Sequence, residues 1–388
     1  MSRTYKEYQS FLFDRLINSS KYPGKYKDKN FKTKDLYSLM EKDKVDYLFN
    51  VFNETKVHDE IIPLATGGVI VKVAFNNTKN LVLLGSKVDR EELENLPHNS
   101  PFLYKDDDTT IALFILLSKK LDKYIRIRDS YTSVHIDNIL GQIEDDKYDG
   151  HDIREIMDLY EPIYIIDIKE DNPFQDDMLG EVISLSIEIP SLLHYREKNF
   201  LSICGELSSM NSIDKNILYA GLTAFYRKHA FLDIYRCLEK NFYFPGMYGL
   251  LNSLIESGVS INISSLREKC REKIAWVPKE NIAIQDLFKL VLSGKFKTFK
   301  SLKSELGNYQ IDIMAIFPNL NEQSDMDYIK HLAEEIYKYR NSLVHHEDKM
   351  HRNIKILNEE QWQVLANFIG YFLIKYNEDY KEILLENN

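Results

Sequence analysis

At 388 residues the chain is too long for one ordinary core, and its 44% hydrophobic and 28% charged residues exclude disorder and predict a soluble protein of two or three domains. A formal net charge of -10 excludes a protein that coats nucleic acid unselectively and leaves room for a local basic groove. Cys204, Cys237 and Cys270 lack CxxC spacing, so they read as reduced thiols and neither as a disulfide framework nor as a zinc knuckle.

The first residues carry no apolar signal core, and no run is long and uncharged enough to span a bilayer, so the expectation is a cytoplasmic protein with no membrane partner. Tyr5 to Ile17 reads as a short amphipathic helix. Lys21 to Lys34 reads as a solvated, lysine-rich loop broken by Pro23 and Gly24. Asp35 to Asn53 reads as a second helix with Leu36, Leu39, Met40, Val45, Leu48 and Phe49 inward.

From Asp59 the texture turns to strands. Gly68–Phe75 and Leu81–Gly85 flank the polar turn Asn76–Asn80 and predict a hairpin. Thr110–Leu117 and Tyr124–Arg128 predict another pair, joined by Ser118–Lys123. Val134 to Ile143 reads as a helix, and Pro162–Lys169 and Glu181–Ile189 read as further strands. Short polar turns between strands favour a mostly antiparallel sheet over a βαβ alternation.

After Leu201 the chain reads almost wholly helical. Predicted helices cover Ile217–Lys240, Met247–Ser257, Ser264–Ile274, Asn281–Leu292 and Lys297–Leu306, then a long helix over Tyr328–Glu347 and a last one over Glu359–Tyr376. In the long helix Ile329, Leu332, Ile336, Tyr339 and Leu343 share one stripe, and Ser324 with Asp327 has the spacing of a capping box. Long amphipathic helices with short connections predict an antiparallel bundle. The expected fold class is α+β: a mixed sheet-and-helix domain over 1–190 and an all-α bundle over 191–388. The boundary lies within 172–200, with Asn172–Asp177 as an exposed connector.

The chemistry-bearing stretch is Arg340-Asn341-Ser342-Leu343-Val344-His345, at the end of the long helix. RNA cleaves when a ribose 2′-hydroxyl attacks the adjacent phosphate, and a catalyst must stabilise the phosphoryl oxygens and move protons. Arginine stays charged and donates two parallel hydrogen bonds, and histidine titrates near neutral pH. Asn341 adds a neutral donor and acceptor for orientation. In a regular helix Asn341 and His345 share a face, whereas Arg340 and His345 diverge by about 140°, at about 100° per residue. The site therefore needs the arginine to wrap round, the helix to loosen near Ser342, or a second copy of the helix. The structural alternative is simple capping, with late cations on the negative end of the helix dipole.

These residues resemble the HEPN superfamily ("higher eukaryotes and prokaryotes nucleotide-binding"), whose signature is R-x4–6-H, often beginning Arg-Asn. The resemblance covers at most residues 200–388. It implies an all-α bundle that dimerises so that two such helices meet at one groove. It also implies metal-independent endoribonuclease activity of the toxin, abortive-infection or anti-phage type, with no cofactor. By it Arg340 and His345 are catalytic and Asn341 supportive. His346 to Met350 follow the histidine, where some members paired with an antitoxin carry Tyr-x-Tyr. The N-terminal half resembles no family and is assigned, by economy, the restraint a cytosolic nuclease needs, through an activating ligand or a partner protein.

Other stretches carry lesser readings. Lys295, Lys297, Lys300 and Lys303 alternate with Phe296, Phe299 and Leu302, which suits an RNA backbone with rings stacking on bases, or an amphipathic helix with snorkelling lysines. His345, His346, Glu347 and His351 miss the HExxH spacing, so no metal site is assigned. Asp167-Ile168-Lys169 ends a strand and mimics a magnesium-nuclease element that Asp149 or Asp152 would complete, with a charged pair as the simpler account. Cys237 and Glu239 read as core and helix-surface residues.

Overall fold

The computed structural model describes residues 5–32, 56–75, 78–105, 119–174, 177–195, 197–258, 261–274, 277–322, 327–344 and 356–385. The expected helix over Asp35–Asn53, the expected strand over Thr110–Leu117, the Asn76-Asn77 turn and everything from His345 to Lys355 lie outside them. The chain divides into two compact units, Met1–Met178 and Leu179–Asn388.

The first unit opens with α1 (Tyr5–Ser19) and the single turn α2 (Pro23–Tyr26). Pro23 starts that turn because a first helical position needs no N–H donor. The lysine-rich segment is therefore not wholly a solvated loop, since Tyr26 and Phe31 within it are buried. They join Leu12, Phe13, Leu16 and Ile17 of α1, and residues of α4 (Ser133–Gly141) and α5 (Ile153–Asp158), in one apolar cluster. The Phe13 and Phe31 rings stack at 4.9 Å, and the Tyr160 hydroxyl donates to the Leu12 carbonyl at 3.1 Å.

The strands are β1 (Lys56–Pro63), β2 (Val69–Phe75), β3 (Thr78–Leu84), β4 (Phe102–Lys105) and β5 (Ile163–Ile168); α3 (Arg90–Glu94) lies between β3 and β4. They form an antiparallel sheet in the order β1-β2-β3-β5-β4. The expected hairpin is β2–β3, in register from Val69 opposite Leu84 to Phe75 opposite Thr78. Alternation then sets the faces: Val69, Val71, Val73, Val82, Leu84 and Ile165 form one apolar layer with Leu121. Gly68, at φ 83°, enters β2 where a Cβ would collide with the Leu84 carbonyl oxygen and the Gly85 backbone, so only glycine fits. Tyr124–Arg128 is not a strand. Lys119–Tyr124 is a 3-10 turn, and Ile127 makes a single bridge to Tyr160.

The second unit is mostly helical. Its elements are α6 (Met178–Glu188), α7 (Lys198–Ser208), α8 (Lys215–Thr223), α9 (Arg227–Glu239), α10 (Phe244–Glu256), α11 (Ile263–Ile274), α12 (Glu280–Leu292), α13 (Phe299–Asn308), α14 (Asp327–Val344) and α15 (Glu359–Leu385). Glu181–Ile189, expected as a strand, is helix α6. Val182, Ile183, Leu185 and Ser186 are all buried, so the segment is apolar on most sides and its alternation carried no face information. Ile217–Lys240, expected as one helix, is two. The backbone leaves the helix at Ala224 (ψ 135°), and Gly221 lets α8 lie close to Ile234 and Asp233 of α9. No proline marks this break, and both halves keep helical apolar spacing.

Helix α15 is the centre of the unit. Leu365, Ala366, Phe368, Ile369, Tyr371, Phe372 and Leu373 are all fully buried, which places apolar contacts on every side rather than on one stripe. It packs against α7, α9 and α12. Helix α14 packs on α12 and α9 with Ile329, Leu332, Ile336 and Tyr339 inward. Ser324, the expected cap, lies outside the described residues. Among the described residues no helix is long and apolar enough to cross a membrane.

Candidate active site

Arg340 sits near the end of α14, one residue past the buried Tyr339, where the helix passes the end of α9 and the start of α12. Its Nη2 lies 2.5 Å from Glu239 Oε1, and its Nη1 lies 3.3 Å from Glu280 Oε2. Nη1 also donates to Asn341 Oδ1 at 3.0 Å. The Tyr235 ring, one turn before Glu239, has its centroid 6.0 Å from the guanidinium carbon. The arginine side chain is only 14% exposed, against 24% for Glu239 and 46% for Glu280.

Two carboxylates thus surround one guanidinium. Burial raises the pKa of Glu239 above the usual carboxylate value, Arg340 pulls it down and Glu280 pushes it up. Burial likewise raises the Tyr235 phenol. Arg340 Nε and the Tyr235 hydroxyl are buried with no hydrogen-bond partner among the described residues. The site thus holds unused donor capacity beside its ion pairs.

Helix α14 stays helical through Ser342, whose hydroxyl donates to the Tyr339 carbonyl at 2.7 Å, so the helix does not loosen at that point. Asn341 is half-buried and its Oδ1 accepts a hydrogen bond from Arg340 Nη1. His345 lies outside the described residues. Of the expected site residues, Arg340 and Asn341 are therefore found together. Glu239, read from sequence as a helix-surface residue, and Glu280, not singled out at all, complete the group. A mid-helix glutamate has no distinguishing sequence signal, and Glu280 offered only an acid at a helix start.

The lysine stretch divides by position. Lys295 Nζ pairs with Asp379 at 2.7 Å, and Lys297, Lys300 and Lys303 are exposed. Phe299 and Leu302 are buried, and the Phe299 ring packs edge-on against Tyr328 at 5.7 Å. Phe299 and Leu302 are core positions of the amphipathic helix α13, so base stacking on Phe299 is ruled out by its burial, while Phe296 is half-buried and lies with Lys295 and Lys297 before the helix.

Asp167 pairs with Lys105 at 2.6 Å across β4 and β5. Lys169 Nζ donates to the Ser100 carbonyl at 2.5 Å, and Asp152 caps α5 by accepting the Arg154 N–H at 2.7 Å. Asp149 is exposed. Among the described residues no group of three or more His, Cys, Asp or Glu is placed to hold a metal ion. Cys204 and Cys237 are buried, and burial pushes the Cys237 thiol up to about 12.

No family model, no curated protein and no solved structure matches the chain.

Proposed function

We propose that the helical unit is a metal-independent, HEPN-like endoribonuclease acting on single-stranded RNA as a homodimer, in the manner of toxin and anti-phage effectors. The observation that carries this reading is the Arg340–Asn341 hydrogen bond at the end of α14, five residues before His345 in sequence. A guanidinium aligned by its neighbouring amide is suited to two parallel bonds onto a phosphate. In the reaction the ribose 2′-oxygen bonds to phosphorus as its proton leaves to a base. The bond to the 5′-oxygen breaks, and that oxygen takes a proton from an acid. His345 supplies proton transfer at neutral pH, Arg340 neutralises the phosphoryl oxygens, and Asn341 orients Arg340. The products are a 2′,3′-cyclic phosphate and a 5′-hydroxyl, and no cofactor is needed.

The carboxylates of Glu239 and Glu280 fit this reading as a restraint inside the same unit. A substrate phosphate must compete with them for Arg340, which keeps resting activity low. The N-terminal unit is assigned the role of sensing a ligand or partner that shifts this competition.

A second reading has an observation of its own. Arg340 is 14% exposed and paired twice, which is also how a structural ion-pair hub is built. On that reading the unit is a non-catalytic, HEPN-like partner-binding module. Cleavage of single-stranded RNA by the purified chain in EDTA, compared with Arg340→Ala and His345→Ala, separates the two.

A further inference from the structure

The corner between α8 and α9 presents aromatic rings that the chemistry at Arg340 does not use. Phe225 and Tyr226 are 59% and 46% exposed, in a unit that buries most of its large rings. Their centroids lie 4.9 Å apart, edge to face, and the His194 ring meets Phe225 edge-on at 4.9 Å. The corner is held firmly. The Tyr195 hydroxyl donates to the Phe225 carbonyl at 2.5 Å, and the Arg227 backbone N–H donates to Glu359 Oε2 at 2.9 Å.

Cations are interleaved with these rings. The Arg227 guanidinium lies 5.1 Å from the Tyr195 centroid, and Lys228 Nζ lies 5.3 Å from that of Tyr226. Arg227 Nε is buried with no hydrogen-bond acceptor among the described residues. The first turn of α9 contains no acid of its own, and Glu359 of α15 caps it from outside the helix. Glu359, the acid that reaches this corner from α15, is engaged by the Arg227 amide and lies beside Tyr195.

We propose that Phe225, Tyr226, Arg227 and Lys228 form a platform for single-stranded RNA, with bases stacked on the two rings and phosphates on the two cations. Every base has a flat face, so such a platform holds a strand without reading its sequence. The cations favour a polyanion over a second copy of this chain, since a two-fold pairing centred on this corner would bring two positive corners together. The proposal takes its ligand from the reading of the chain as an RNA nuclease, but it concerns binding and not cleavage.

The test uses the full chain carrying His345→Ala, in EDTA, with a labelled single-stranded RNA of about 12 nucleotides read by fluorescence anisotropy. Phe225→Ala and Tyr226→Ala are each expected to weaken binding about ten-fold. Lys228→Glu is expected to flatten the slope of log K against log salt by roughly 0.7. Phe225→Leu keeps the corner's apolar bulk, so its loss of affinity with an unchanged melting temperature assigns the effect to the ring face. Ring variants that bind as tightly as their parent overturn the proposal, as does a parent that binds no RNA. Ring variants that abolish a concentration-dependent dimer in sedimentation while RNA binding stays intact also overturn it, and give the corner to a second copy. Ring-dependent binding by a wild-type chain whose cleavage of RNA persists in Arg340→Ala and His345→Ala leaves the platform standing and removes the nuclease reading. Cleavage with ring-independent binding does the reverse.

Discussion

Arg340 Nη2 lies 2.5 Å from Glu239 Oε1, so the C-terminal part of α14 is tied to the last residue of α9 by an ion pair that solvent only partly reaches. Everything proposed for the site depends on how firmly this pair and its Glu280 neighbour hold the guanidinium.

Removing the cation leaves Glu239 half-buried without its closest partner. Arg340→Ala is expected to cost about 2 kcal/mol at pH 7, read as a lower urea midpoint with unchanged m. The loss is pH-dependent. A carboxyl whose folded pKa is raised binds protons more readily when folded, so stability falls as pH rises from the unfolded to the folded value and then levels. Arg340 pulls the Glu239 pKa down. Without it the window extends upward, and the variant's deficit is expected to grow between acid and neutral pH. A deficit that does not change with pH contradicts the assigned coupling.

Glu280 is the more exposed of the two acids and the cheaper to neutralise. In the proposed enzyme Glu280→Gln is expected to lower KM for RNA about three- to five-fold, since a charge near 4 Å in water is worth about 1 kcal/mol. Its melting temperature is expected to stay close to wild type. A raised KM instead assigns Glu280 to positioning Arg340 rather than competing for it.

Asp214 caps α8 by accepting the Asn216 and Ile217 N–H groups, and it pairs with Lys240. The hydrogen bond from Lys240 leads the causes that hold its pKa below the usual carboxylate value. Asp214→Ala is expected to cost about 1 kcal/mol at pH 7. A lowered folded pKa gives stability that is complete above the unfolded pKa and lost as pH falls through the folded one, so the gap to wild type is expected to close below the ordinary carboxylate range. Urea midpoints at pH 7 and pH 3 check this.

Gly370 in α15 faces Ile203 of α7 so closely that a Cβ would strike the Ile203 Cγ2 methyl. Gly370→Ala is expected to destabilise by about 1–3 kcal/mol through overpacking, despite the better helix propensity of alanine. Ile203→Ala in the same chain is expected to recover part of the loss, which would show as non-additivity in a double-mutant cycle. Additive losses mean that the contact does not limit the approach of α7 to α15.

Much of the scaffold was legible in its apolar patterning. The apolar runs Val69–Phe75 and Leu81–Gly85 around the polar segment Asn76–Asn80 mark the β2–β3 hairpin, and the three-and-four stepping of Ile329 to Tyr339 marks α14. Periodicity failed where burial was all round, as in α6, or where a helix turned without proline or an obvious break, as at Ala224. The arginine was visible through its spacing to Asn341 and His345. Its acidic neighbours were not, because Glu239 and Glu280 meet Arg340 only through the packing of α9, α12 and α14, a relationship that no local window contains.

The most direct test of the nuclease reading is end analysis of single-stranded RNA incubated with the chain in EDTA. The account predicts 2′,3′-cyclic phosphate and 5′-hydroxyl ends from the wild type and from Glu280→Gln, and none from Arg340→Ala or His345→Ala. Cleavage that both of those variants retain, or that appears only when magnesium is restored, contradicts it.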